Sequence, residues 1–165
     1  MKTLVVFYSR TGTTKRVAEK IAEALSCGIE EIFDTKNRSG AYGYLTAGRD
    51  ASLKKLTVLK PISKDLADYD LVVIGTPIWA WSVSAPIRTY LENQKEKFPP
   101  KADQPMADKK VAFFCTMGGS GDERAFSEME KIIRVKPVTT LVLTTREVAN
   151  NQHEEKLKEF IKKVS

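Results

Sequence analysis

Leu4 to Thr14, LVVFYSRTGTT, is the stretch on which the architecture turns. Leu4 to Tyr8 is a short run of β-branched and aromatic residues with no helical period, as a buried strand requires. It passes at once into a loop of hydroxyls around one glycine, Ser9 to Thr14. Beyond Thr13, Val17, Ile21, Ala24 and Leu25 recur at spacings of three and four with lysines and glutamates between them, the stripe of an amphipathic helix. Strand, tight loop and helix in immediate succession form the first half of a βα unit.

The alternation continues outward from this unit. Cys27-Gly28 stops the helix, and Ile29 to Phe33 alternates apolar and acidic residues as an edge or near-edge strand would. LVVIG, Leu71 to Gly75, is too apolar for a surface strand and ends in Gly75-Thr76-Pro77, so it is expected at the centre of the sheet. Ser84-Ala85-Pro86 offers a cap and an early proline for a helix burying Ile87, Tyr90 and Leu91 and stopping before Pro99-Pro100. A fourth strand, Lys110 to Cys115, is followed by the glycine loop Met117 to Gly121 and the helical stripe Phe126, Met129, Ile132, Ile133. Val138 to Leu143 reads as the fifth strand, and Asn151 with Glu154 resembles a capping box opening a helix that buries Leu157, Phe160, Ile161 and Val164. Five strands alternating with helices require right-handed crossovers and a parallel sheet covered on both faces. The expectation is one doubly wound α/β domain over residues 1–165, binding its ligand beyond the carboxyl ends of the strands where strand order reverses. That edge carries the loops after strands one, three and four.

The chain has 165 residues, 42% hydrophobic and 29% charged, a balance that closes one core. Its net charge of +6 is concentrated: Lys36, Arg38, Arg49, Lys54, Lys55 and Lys60 face only Asp50 between Thr35 and Lys60. No RNA-binding aromatic motif or zinc finger accompanies them, so a nucleic-acid partner is not expected. Cys27 and Cys115 without a Cys-x-x-Cys, and a single histidine, leave no material for a metal site or disulfide framework. Two reduced thiols and the absence of a readable signal peptide or membrane span lead to the expectation of a cytoplasmic protein.

Each of the three loops suggests chemistry. A helix N-terminus has unpaired N–H groups and the positive end of a dipole, so it holds an anion without a cationic side chain. Ser9, Thr11, Thr13 and Thr14 add hydroxyls, and Gly12 lets the backbone curl close to the anion, which fits a phosphate monoester. The spacing fails the Walker A loop and the three-glycine dinucleotide loop, and a Cys-x5-Arg phosphatase loop from Cys115 would need arginine where Gly121 stands. A Ser-His-Asp hydrolase is poorly supported, since the only histidine, His153, opens the last helix. Thr76 to Ser82 places Trp79 and Trp81 at the mouth of a central strand, where a flat ring such as an isoalloxazine can stack. Gly118, Gly119 and Gly121 let main-chain N–H groups approach the ring's carbonyl oxygens.

Taken together these residues resemble the flavodoxins and flavodoxin-like FMN proteins over essentially the whole chain. Ser9-Arg10-Thr11-Gly12-Thr13-Thr14 matches the family's phosphate loop [ST]-x-T-G-x-T. Thr76, Pro77, Ile78, Trp79, Ala80 and Trp81 occupy its second flavin loop, and Thr116, Met117, Gly118 and Gly119 its third. Gly43-Tyr44-Leu45 with Ala47 to Ala51 is similar to a stretch in small bacterial and archaeal members. The resemblance implies noncovalent FMN held by these residues, strand order 2-1-3-4-5, and electron transfer with no catalytic side chain. Three departures stand out. The third loop lacks the tyrosine that flavodoxins stack on the outer flavin face. Ala80 stands nearest the glycine whose peptide flips beside flavin N5, and a positive φ there would cost about 1 kcal/mol or more. The chain is basic where flavodoxins are acidic, and the basic segment, with Tyr42 and Tyr44, starts on the same edge as the phosphate loop. It is expected to meet an acidic redox partner or the phosphates of NAD(P)H. The leading expectation is an FMN electron carrier, and the alternative is an NAD(P)H-dependent reductase of quinones or similar small acceptors.

Overall fold

Strand order reverses beside β1 (Thr3–Phe7), because the chain leaves it for one side of the sheet and returns past it to the other. The computed structural model describes residues 1–98 and 109–165. After β1, α1 (Thr13–Ala24) carries the chain to β2 (Gly28–Glu31) at the sheet's edge. α2 (Gly40–Ser52) then leads back to β3 (Leu71–Trp79) on the other side of β1, and a two-residue turn joins β3 to β4 (Ser82–Val83). α3 (Ala85–Gln94), β5 (Lys110–Met117), α4 (Asp122–Ile133), β6 (Thr140–Thr144), α5 (Thr145–Ala149) and α6 (Glu154–Val164) complete the order. The parallel strands run β2-β1-β3-β5-β6, which is the expected 2-1-3-4-5 order, and β4 adds a sixth strand antiparallel to β3. This is the flavodoxin-like doubly wound fold.

The period of two along each strand separates two cores. Leu4, Val6, Val72, Ile74, Val111 and Phe113 face α3 and α4, where they meet Ile87, Tyr90, Leu91, Phe126, Met129 and Ile133. Val5, Phe7, Leu71, Val73, Ala112 and Phe114 face α1 and α6, against Val17, Ile21, Leu157, Phe160 and Val164. Each such aliphatic or aromatic side chain, fully withdrawn from water, contributes about 1.5–3 kcal/mol. The apolar periodicities read from the sequence mark the buried faces of the central strands and the main helices, but not around β2, where Ile29 and Phe33 are exposed and Glu30 is buried, nor at Ala24, which is exposed at the end of α1.

Several boundaries differ from the expectations. β3 does not stop at Gly75-Thr76-Pro77 but runs through it to Trp79. Beyond Gly75 the β1 ladder has ended, so Pro77 stands where one side of β3 has no strand partner and a missing N–H is tolerated. β5 likewise extends to Met117, β2 begins at Gly28 and ends at Glu31, and β6 begins only at Thr140. The Ser84 side chain does not cap α3; its hydroxyl lies 3.0 Å from that of Thr76. The middle of the basic segment forms α2, a helix hidden from propensity by Gly40, Gly43 and Gly48; of the six cations only Arg49 lies in it. Pro99-Pro100 lies outside the described residues, and α3 ends at Gln94, followed by a 3-10 turn, Lys95–Lys97. Among the described residues no helix is long and apolar enough to cross a membrane.

The capping box stands at Thr144 and Glu147, not at Asn151 and Glu154: the Thr144 hydroxyl accepts from the Glu147 N–H at 3.1 Å, and the Thr144 N–H donates to the Glu147 carboxylate at 2.7 Å. Asn151 lies in the turn before α6 with φ 56°, and the residue preceding that helix is His153. The Lys156 ammonium, 2.6 Å away, and the two Thr144 donors hold the Glu147 carboxyl down to about 2 from its ordinary 4.5. A depressed carboxyl contributes stability that is complete above its unfolded value and is lost as pH falls through the folded one. Wild-type melting temperature should therefore fall between about pH 4.5 and 2 more steeply than that of Glu147→Gln. Parallel melting curves for the two proteins would contradict this.

Candidate functional site

A cleft of about 800 Å³ opens at the carboxyl ends of the central strands. Its floor is the first turn of α1, which no side chain caps. Gly12 precedes that turn in the left-handed region, φ 89°, and the Gly12 N–H donates to the Ser9 hydroxyl at 3.1 Å, tightening the loop. Ser9 and Gly12 thus shape the loop from outside the cleft lining, while Arg10, Thr11, Thr13 and Thr14 line it. The N–H groups of the first helical turn are left for an anion, which the helix dipole favours. The Thr11 and Thr13 hydroxyls lie 3.4 Å apart beside them. Thr14 is buried and its hydroxyl meets that of Thr116 at 2.7 Å, which ties the first loop to the third.

The second wall is a hairpin rather than a loose loop. Trp79 pairs with Ser82 across Ala80 and Trp81, whose φ angles of 47° and 58° mark a type I′ turn. Ala80 adopts the positive φ that the sequence makes costly, with no glycine at either central position of the turn. An L-residue there costs about 1–2 kcal/mol, so contacts elsewhere must hold the turn. Ser82 donates to Glu128 at 2.9 Å, and Arg88 donates to the Ser82 hydroxyl and the Val83 carbonyl, both at 3.0 Å. The Trp81 indole N–H donates to the Ser120 hydroxyl at 3.0 Å. Gly121 packs so closely that a Cβ on it would lie 2.7 Å from the Trp81 Cα. Thr76 is fully buried and braces the base of this hairpin through Ser84, so it supports the cleft without lining it. Ala80→Gly should raise stability by about 1 kcal/mol, read as a higher urea midpoint at unchanged slope. No gain would mean that the turn carries no strain.

The two indoles differ in placement. Trp79 is buried, edge-on to Tyr8 at 5.6 Å with the Arg38 guanidinium 5.8 Å from its ring. Trp81 is 60% exposed at the mouth of the cleft. Pro77, Ile78 and Ala80 join them on the lining, as do Thr116, Met117, Gly118 and Gly119 of the third loop. A Cβ on Gly118 or Gly119 would meet nothing within 4 Å, so the backbone there borders open space.

A fourth wall lies outside the three loops. Tyr44, Leu45, Gly48 and Arg49 of α2 line the cleft, and the Arg10 guanidinium stacks 5.3 Å from the Tyr44 ring centre. The Gly43 to Ala51 stretch of the resemblance held that signal. Ser120 and Thr145 also line the cleft, Thr145 by its place just after β6. Not every cation of the basic segment reaches the surface. Arg38 is buried, 2.5 Å from Asp34 and 3.1 Å from Asp50. Burial opposes the ionisation of Asp50, but Arg38 and Lys36 outweigh it and hold the carboxyl below its ordinary value.

An uncapped helix N-terminus, a hydroxyl-rich loop and an open glycine wall suit a phosphorylated flat-ring ligand. The family model for NADPH-dependent FMN reductases matches residues 1–163. The chain belongs to that family. It is an FMN-binding, flavodoxin-like flavoprotein, and the residues around the cleft fit that cofactor. Among solved structures, a flavoprotein of Lactobacillus acidophilus in complex with FMN superimposes with a TM-score of 0.69 at 24% identity, over 90% of this chain and 97% of the other. A protein from Bacteroides uniformis assigned as a flavoprotein gives 0.68 at 28% identity, over 92% and 97%. The two-electron reduced flavodoxin of Megasphaera elsdenii gives 0.59 at 18% identity, over 99% of each chain. No curated protein matches this sequence.

Proposed function

We propose that this member of the family is an NAD(P)H-dependent FMN oxidoreductase that delivers electrons to quinones or similar small acceptors. The observation that carries the reading is the open third-loop wall, where Gly118 and Gly119 stand in place of a covering aromatic. When bound, FMN supplies the redox chemistry; the chain binds and orients it. The first turn of α1 with Thr11 and Thr13 holds the phosphate, and the Trp79 to Ser82 hairpin flanks the ring. Gly118 and Gly119 offer backbone to the ring's polar edge and leave space for a second flat molecule. Arg10 and Arg49, at the rim, attract the phosphates of the nucleotide donor.

The test is NADPH and NADH consumption by the FMN-loaded protein with and without benzoquinone, across ionic strength. Turnover that requires the quinone and declines with salt supports the reading. An inert holoprotein would overturn it. That outcome would favour a carrier of electrons between proteins, a second reading supported by the Ala80-Trp81 turn, which already holds the positive φ that flavodoxins use beside the flavin.

A further inference from the structure

A second cavity, of about 590 Å³, lies between α3 and α4 on the face away from α1. Its rim is strongly basic. Arg124, Lys131 and Arg134 come from α4 and its end, and Lys54 and Lys95 also border it. Two acids are present, and each is already engaged: Glu92 with Lys95 at 3.2 Å, and Glu128 with Arg88 at 2.7 Å. Among the described residues, Lys54, Arg124, Lys131 and Arg134 have no ion-pair partner. A cluster of unpaired like charges around a concave surface raises its local potential and draws in anions.

The spacing and composition of the rim identify the kind of anion. At a rise of about 1.5 Å per residue, Arg124, Lys131 and Arg134 extend roughly 15 Å along α4, too far for one phosphate or diphosphate to satisfy. An extended peptide covers the same length in about five residues. Leu56, 53% exposed, and Ile132 place apolar surface among the cations. No aromatic side chain lines the cavity among the described residues, so a nucleic-acid base would find no stacking platform. A second copy of this chain, itself at +6, would be repelled.

We infer that the groove between α3 and α4 docks an acidic polypeptide segment of a partner protein, carboxylates alternating with apolar side chains. The Arg88–Glu128 pair borders the groove and also bonds Ser82 of the cleft hairpin. A docked partner is therefore one layer of hydrogen bonds from the wall of the FMN cleft. This site is independent of whether electrons arrive from NAD(P)H or from a protein.

The experiment uses the FMN-loaded full chain and a fluorescein-labelled peptide of about eight alternating glutamates and leucines. Anisotropy should report saturable binding, weakened about tenfold or more in R124E/K131E and by added salt. K162E/K163E, which makes the same charge change on α6, should bind as wild type does. Carbodiimide coupling of peptide carboxylates to lysine amines should map to Lys54, Lys95 or Lys131. The inference is overturned by absent binding, by equal affinity in R124E/K131E, or by equal loss in K162E/K163E. Displacement of the peptide by tripolyphosphate or oligothymidylate at lower concentration than by unlabelled peptide overturns it too, as does cross-linking elsewhere.

Discussion

Replacing Arg88 with methionine should lower the stability of the FMN-free protein by about 3–5 kcal/mol, read from urea unfolding. The side chain is buried and its guanidinium reaches five acceptors, in α4, in β4, in α2 and just beyond α2. Glu128 of α4 accepts at 2.7 Å, the Ser82 hydroxyl and Val83 carbonyl of β4 at 3.0 Å, the Ala51 carbonyl near the end of α2 at 3.3 Å and the Lys55 carbonyl beyond it at 3.4 Å. Methionine fills much of the volume but satisfies none of these groups, and it leaves the largely buried Glu128 carboxylate with the Ser82 hydroxyl as its one remaining hydrogen-bond donor among the described residues. Two walls of the cleft proposed for FMN, α2 and the hairpin, lose their common anchor, so FMN affinity should fall as well. Most natural domains have only 5–15 kcal/mol in total, which makes this a large fraction. The double variant R88M/E128L tests the cause. Removing both charges should recover much of the loss, because the cost is mainly that of an unpaired buried ion. A loss below about 1 kcal/mol in R88M alone would show that the network does not hold the hairpin.

That network explains why one part of the site was legible in the sequence and another was not. The Ser9 to Thr14 loop is a local device: a strand end, a glycine with φ 89° and a helix start within a few residues, so its residue types and spacing suffice to give its shape. The two cores were readable for the same reason, since periods of two and of three to four are properties of each segment alone. The hairpin is not local. Nothing in Ala80-Trp81 resembles the asparagine and glycine pairs that favour a type I′ turn. Its geometry is imposed by Arg88, Ser120, Gly121 and Glu128, up to 48 residues further along the chain from Ala80. α2 was hidden by its glycines, one of which packs so tightly that a Cβ on Gly43 would lie 2.2 Å from the Arg38 backbone. Charge counting misled for a related reason. Arg38 counts toward the basic segment's charge, yet it is neutralised inside by Asp34, which precedes that segment, and by Asp50.

Thr11→Asp should weaken FMN binding about 100-fold while leaving riboflavin binding nearly unchanged. Thr11 is exposed at the mouth of the uncapped first turn of α1, where an anion meets helix N–H groups and the positive end of the dipole. A carboxylate there occupies the same field and stands within several ångströms of a bound phosphate. Two like charges about 4 Å apart interact at roughly 4 kcal/mol under an effective dielectric of about 20, and exposure reduces this toward about 3. The substitution should not unfold the protein, because acid near a helix N-terminus is mildly stabilising. Thr11→Val separates charge from hydrogen bonding: losing the hydroxyl alone is worth about 0.5–1.5 kcal/mol, roughly tenfold or less. Titration of the FMN-free variants with each flavin, followed by quenching of flavin fluorescence, measures all of these affinities. Riboflavin has the ring but no phosphate, so it reports whether the hairpin and glycine walls are intact. If Thr11→Asp weakens both flavins equally, the α1 loop is not where the phosphate sits, and the cofactor's orientation in the cleft must be reversed.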